Sequence, residues 1–122
     1  IPSSKVFENS NFLAFLDFSP VSKGHTLLIP KKHYETLMDL PDELLKDISV
    51  QLKEISSAVM RATNCEGISI SQSNNKAAGQ VVPHIHFHII PRFVNDSLKQ
   101  WPQGKYEDGE MDNICKKIVS FL

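Results

Sequence analysis

The sequence predicts an α+β fold on an antiparallel sheet, and three observations carry that prediction. Short segments near the start and in the second half of the chain alternate with period two. One long stretch between them changes to steps of three and four. Gly, Pro and Asn mark the boundaries. Strands dominating the two ends, with one long helix crossing between them, favour an antiparallel sheet with segregated helices.

The elements follow in order. Lys5 to Glu8 and Phe12 to Asp17 read as two strands around a turn at Asn9-Ser10-Asn11. Ser19-Pro20 and Lys23-Gly24 punctuate a loop, and His25 to Ile29 is a third strand stopped by Pro30. Leu44, Leu45, Ile48, Leu52, Ile55 and Val59 then form one apolar face of a helix running from Pro41 to Arg61. Pro41 suits a first helical turn, and Asp42 and Glu43 suit the positive end of the helix dipole. Gly67 resets the chain, and Ile68-Ser69-Ile70-Ser71 alternates as a half-buried strand. The run from Asn74 to Gly79 is a loop. His84 to Ile90 is the fifth strand, ended by Pro91. A short helix from Glu110 to Phe121 is expected to bury Met111, Ile114, Ile118 and Val119. No repeat or linker interrupts the chain, so residues 1–122 are read as one domain.

Bulk properties exclude several function classes. A hydrophobic fraction of 41% with 22% charged residues is ordinary for a globular chain with a core. The formal net charge of -1 gives no global field to attract nucleic acid or an acidic membrane, so neither is an expected partner. Lys31-Lys32-His33 is the one dense basic run and reads as a solvated strand end. No apolar run is long enough to span a bilayer, and the amino end lacks the pattern of a signal peptide. The start at Ile1 rather than Met leaves room for upstream residues. Cys65 and Cys115 are isolated, which suits a reducing compartment; a cytoplasmic location is expected, with a nuclear one also open. Asn95-Asp96-Ser97 fits a glycosylation sequon and reads as a chance match.

His84, His86 and His88 occupy alternate positions. On a strand they share one face, and Ile85, Phe87 and Ile89 share the other. The apolar face can pack on the long helix. The histidine face must then be a polar site, because each buried ring carries nitrogens that need partners. One metal ion for all three is disfavoured by distance. Same-face residues are ~6.6 Å apart, so His84 and His88 would be about 13 Å apart along a strand. Ligands to one ion must each approach to about 2.0–2.1 Å. No Asp, Glu or Cys lies between Asn74 and Arg92 to complete a two-histidine site. We therefore expect no metal.

Nucleophilic catalysis fits the pattern better. A neutral imidazole can attack phosphorus and leave a phosphoramidate that water cleaves. A neighbouring histidine can protonate the leaving group, and the third can fix a ring or touch phosphate. Gly79, just upstream, lets backbone approach a phosphate, where successive N–H groups can form an anion nest.

The run Gly79-Gln80-Val81-Val82-Pro83-His84-Ile85-His86-Phe87-His88-Ile89-Ile90 resembles the signature of the histidine-triad (HIT) nucleotide-binding proteins. Phe15-Leu16-Asp17-Phe18-Ser19-Pro20 and the run from Gly24 to His33 resemble family segments in the same order. The resemblance implies a HIT-like fold: a five-stranded antiparallel sheet with one long and one short carboxy-terminal helix. It implies a homodimer whose sheets join into ten strands. It implies a purine nucleotide ligand of the AMP or GMP type, attack by His86, and His88 at the phosphate and leaving group. The carbonyl of His84 and the ring of His25 would orient the nucleophile. Asp17 would bind the ribose hydroxyls. Phe18 and Ile29, with Leu27, would line the base pocket or simply pack the core. Ser73, Gly79, Gln80 and Val81 would face the phosphate. Trp101, in Trp101-Pro102-Gln103-Gly104, would reach toward the partner's site or pack locally.

By this resemblance, retention of His88 favours hydrolysis over nucleotidyl transfer. The short carboxy end resembles the Hint branch, which hydrolyses nucleoside phosphoramidates. The alternatives are a diadenosine polyphosphate hydrolase and a nucleotide-binding or interaction protein with weak catalysis. Two departures bear on rate. Ser73 stands where the Hint branch carries Asn, so Asn74 or Asn75 would have to supply an amide; Val81 stands where many members carry Ser. The zinc-binding CxxC of many members is absent, and no cofactor is expected.

Overall fold

Residues 4–122 are described by a computed structural model. Strands β1 (Lys5–Glu8), β2 (Phe12–Leu16), β3 (Thr26–Pro30), β4 (Gly67–Ser71) and β5 (Phe87–Arg92) form one antiparallel sheet in the order β1-β2-β3-β5-β4. Helix α1 (Asp42–Thr63) crosses between β3 and β4, and helix α2 (Glu110–Val119) ends the chain. The α+β architecture read from the sequence is the one observed.

Alternation decides which side of each strand meets α1. Phe12, Ala14, Leu28, Ile85, Phe87 and Ile89 are buried, together with Ile48, Ile55 and Val59 from α1. Leu44, Leu45 and Leu52 pack on the edge of that core. The intervening strand residues face the other way and are available to build a site. The register sets Phe15 beside Leu27, and Leu27 beside His88, in one row across the sheet.

Several boundaries differ from the sequence expectation for local reasons. Helix α1 runs to Thr63 because Asn64 adopts a left-handed conformation (φ 53°) and caps it. Gly24 has φ 99°, and a Cβ there would lie 2.6 Å from Thr63 Cγ2, so the loop before β3 can pass the helix end only as glycine. Pro30 and Pro91 lie inside strands rather than ending them. Pro30 pairs with Phe12 on β2 and Pro91 with Ile68 on β4, but both lie beyond the β3–β5 pairing of Thr26–Leu28 with Phe87–Ile89, so on that side a missing N–H interrupts no ladder. For the same reason β5 begins at Phe87. His84 and His86 sit in the segment leading into it, although Ile85 still points into the core.

The expected burial by α2 is not observed. Met111, Ile114, Ile118 and Val119 are all exposed in the single chain. Helical period marks an apolar face, but it does not say what covers that face.

Candidate active site

The sheet face opposite α1 carries a cavity of about 480 Å³. Phe15, Leu27 and Ile29 supply its apolar wall, Asp17 lies among its lining residues, and His84, His86 and His88 line it as well. The three triad histidines are thus brought together, as their alternation implied.

Each ring has a defined hydrogen-bonding partner. His86 Nδ1 lies 2.8 Å from the carbonyl oxygen of His84. A carbonyl only accepts, so Nδ1 donates, and Nε2 of neutral His86 carries the free lone pair. The backbone N–H of Val21 donates to His25 Nδ1 at 3.1 Å. Neutral His25 therefore holds its proton on Nε2 and donates it to His88 Nδ1, 2.9 Å away. His88 is left with Nε2–H as its remaining donor. The His86 and His88 rings meet edge-on, with centroids 5.0 Å apart.

His25 is 3% exposed, and burial lowers its pKa. The negative charge of Asp17, whose Oδ2 is 3.8 Å from His25 Nε2, opposes that shift without reversing it. Burial also lowers the pKa of His88, helped by His86 and His25. The neutral forms that this hydrogen-bond chain requires are thus favoured.

The resemblance gave the ring of His25 a part in orienting His86. The ring contacts His88, at 2.9 Å, and meets His86 only through it. Asp17 Oδ1 accepts from Ser19 N–H at 2.8 Å, which fixes the carboxylate beside His25. Phe18 lies past the end of β2, is 87% exposed and does not line the cavity. Phe15 takes the wall position expected of Phe18. Period two along β2 contains that answer, since Phe12 and Ala14 are buried and Phe15 must face away from them.

The loop before the triad also departs from expectation. Gly79 has a positive φ (97°), but its N–H bonds to Lys76 O at 2.9 Å, and the N–H of Gln80 bonds to Asn75 O at 3.2 Å. These two donors close a short turn over Lys76–Ala78 rather than an open nest. The Gln80 side chain is buried and donates to Glu35 O at 2.6 Å. Asn74 Oδ1 accepts from Leu37 N–H at 2.8 Å and from the Gln72 amide at 2.7 Å. The Asn74 carbonyl oxygen is thus engaged in fastening the loop to the 35–37 segment. Ser73 is half-buried, two residues beyond Ser71, which pairs with His88. Val81 is 89% exposed. Trp101 is 84% exposed and lines a separate groove with Val21 and Ile90.

His33 is the residue that the sequence reading missed. Its Nδ1 lies 3.2 Å from His84 Nδ1, and the other His84 nitrogen, Nε2, donates to Pro30 O at 2.8 Å. All five histidines of the chain therefore belong to one connected site. Asp17, His25 and His88 also bring possible ligand atoms within 4.8 Å of one another. This is a different set from the three triad rings weighed above. An ion there would have to displace the proton shared by His25 and His88.

A HIT-domain family model matches residues 1–95. The chain belongs to the histidine-triad (HIT) family. Among HIT relatives, the Bacillus subtilis protein hit is 45% identical over 126 residues, covering 100% of this chain and 87% of that one. An adenosine 5'-monophosphoramidase of Schizosaccharomyces pombe is 42% identical over 123 residues, covering 98% and 89%. A crystal structure of a HIT family member from Bacillus subtilis superposes with a TM-score of 0.91 at 37% identity, covering 100% of this chain and 89% of that one.

Proposed function

We propose that this HIT protein hydrolyses purine nucleoside phosphoramidates through a nucleotidyl-histidine intermediate. The observation that carries the reading is His86 itself. Its Nδ1–H is tied to the His84 carbonyl, so Nε2 is the free nucleophile, in a cavity with apolar walls and a carboxylate. The phosphoramidase name borne by the Schizosaccharomyces pombe relative supports the substrate class. The base would lie against Phe15, Leu27 and Ile29, and Asp17 would receive the ribose hydroxyls. Ser73 and the Val81 backbone would lie toward the phosphate.

The chemistry balances in two steps. His86 Nε2 forms a bond to the α-phosphorus as the P–N bond to the amine breaks. A proton taken up with the substrate, and shared between the bridging nitrogen and His88 Nε2, leaves on the amine. The resulting imidazolium keeps its Nδ1–H on the His84 carbonyl, which stabilises its charge. Water then attacks phosphorus, the N–P bond breaks, and the second proton of that water is released through His88. AMP or GMP departs, and His86 returns neutral.

The proposed assembly is a homodimer. Strand β4 ends the sheet, so pairing two copies along it would give ten strands. The exposed apolar residues of α2 and Trp101 would find cover in the same assembly. Cys65 and Cys115 are both free, which suits a cytoplasmic setting.

The test compares kcat/KM on an AMP–amine conjugate and on a diadenosine polyphosphate, in wild type and His86→Ala. Faster cleavage of the conjugate, loss of at least about a thousandfold in the variant, and an unchanged fold by circular dichroism are expected. Full activity in His86→Ala would sink the mechanism, and preference for the polyphosphate would move the substrate class.

A further inference from the structure

We infer that His33 is a positioning residue, which holds the ring of His84 so that the His84 carbonyl can orient the nucleophile His86. The consequence for rate rests on the hydrolase reading above; the geometry does not.

The argument starts from the one atom that fixes the nucleophile. Among the described residues, the His84 carbonyl oxygen alone holds His86 Nδ1, at 2.8 Å. Strand pairing does not fix that carbonyl, because β5 begins three residues later, at Phe87. Other contacts must set the His84–Ile85 peptide, and they come from His33 and Tyr34. The N–H of that peptide donates to Tyr34 O at 2.7 Å. In a planar trans peptide the carbonyl then points the opposite way, toward His86.

The His84 side chain is gripped at both nitrogens. Pro30 O can only accept, so His84 carries its proton on Nε2. His84 Nδ1 then offers a lone pair, and the donor facing it must be His33 Nδ1–H, 3.2 Å away. The rings are tilted at 41° with centroids 5.3 Å apart, which suits an in-plane hydrogen bond rather than stacking. The same logic makes Pro30 a useful residue at this place. Its nitrogen has no hydrogen to offer, β5 has not yet begun beside it, and its carbonyl is free for the His84 ring.

His33 is exposed, so this contact adds little to the stability of the fold. Its effect is expected in the positioning of an atom two contacts away. A displaced nucleophile costs rate more than binding, since the apolar wall of Phe15, Leu27 and Ile29 is untouched.

The experiment uses the full chain labelled with ¹⁵N-histidine, in wild type, His33→Ala and His33→Asn. Long-range ¹⁵N–¹H spectra are expected to show His84 protonated on Nε2 and His33 on Nδ1. In His33→Ala the His86 Nδ1–H signal should shift or exchange faster with water. On the AMP–amine conjugate, His33→Ala should lower kcat about tenfold with KM within about twofold. His33→Asn, whose amide can place an N–H where Nδ1 was, should recover most of that loss. A His33 protonated on Nε2 alone, an unchanged His86 signal in His33→Ala, or an unchanged kcat would each overturn the inference. If wild type cleaves no phosphoramidate, the hydrolase reading fails, and the spectra alone then decide the role of His33.

Discussion

Two histidine pairs flank the proposed nucleophile, and they differ mainly in burial. Buried His25 meets half-buried His88 at 2.9 Å; exposed His33 meets half-buried His84 at 3.2 Å. Each pair takes its tautomers from one backbone group of fixed polarity. A Val21 N–H sets the buried pair, and a Pro30 carbonyl sets the exposed one. The outputs are opposite. The buried pair ends in a ring donor, His88 Nε2–H. The exposed pair ends in a backbone acceptor, the His84 carbonyl. An imidazole can thus serve catalysis by presenting a proton or by holding a peptide, and the neighbouring backbone decides which.

The largest effect expected from breaking this contrast is at His88. His88→Ala removes the donor proposed to protonate the leaving group and should lower kcat by about 10²–10⁴-fold on an AMP–amine conjugate. The loss should shrink for a conjugate whose amine departs without a proton, such as an activated aryl amine. An equal loss on both substrates would show that His88 does not assist departure.

Stability separates the pairs next. His25→Leu strands the Val21 N–H and leaves His88 Nδ1 without its donor. A cost of about 1–3 kcal/mol is expected for such unpaired groups. His33→Ala, at an exposed position, should change stability by less than about 0.5 kcal/mol. Urea midpoints for the two variants measure this directly, and equal losses would erase the distinction drawn from burial.

Much of this site was legible in the sequence because it follows from alternation. His84, His86 and His88 fell together, and Ile85, Phe87 and Ile89 turned to the core, since strand period depends on nothing distant. The helix face from Leu44 to Val59 was legible for the same reason. What failed to appear depends on contacts between remote segments. Nothing in Lys31-Lys32-His33 reveals that position 84 will arrive beside it. Gln80 stands among the phosphate-facing residues by resemblance, and its own neighbours do not reveal that Glu35 O takes its amide. Helix α2 showed an apolar face, but its pattern carried no address for a partner. Phe18 was a different kind of miss, since the alternation of β2 already favoured Phe15.

A smaller effect tests whether burial sets the protonation state of His25 and His88. In the fold His25 and His88 both titrate below the ordinary histidine range, chiefly because burial disfavours their charged forms. As pH falls through the ordinary range, the unfolded chain binds protons at these positions before the folded chain does. Stability is therefore expected to be level above that range, to fall as pH drops through it, and to level off only below the folded values. Asp17 and His86 face the pair and act in opposite senses, Asp17 favouring the charge and His86 opposing it. Glu8, held to about 2 by Lys31 and Lys5, titrates well below this window. Urea midpoints at about pH 7.5, 6 and 5 should fall in wild type and fall less in His25→Asn, which removes one of the two depressed groups. If His25→Asn kept the full wild-type slope, the depressed titration would not belong to this pair.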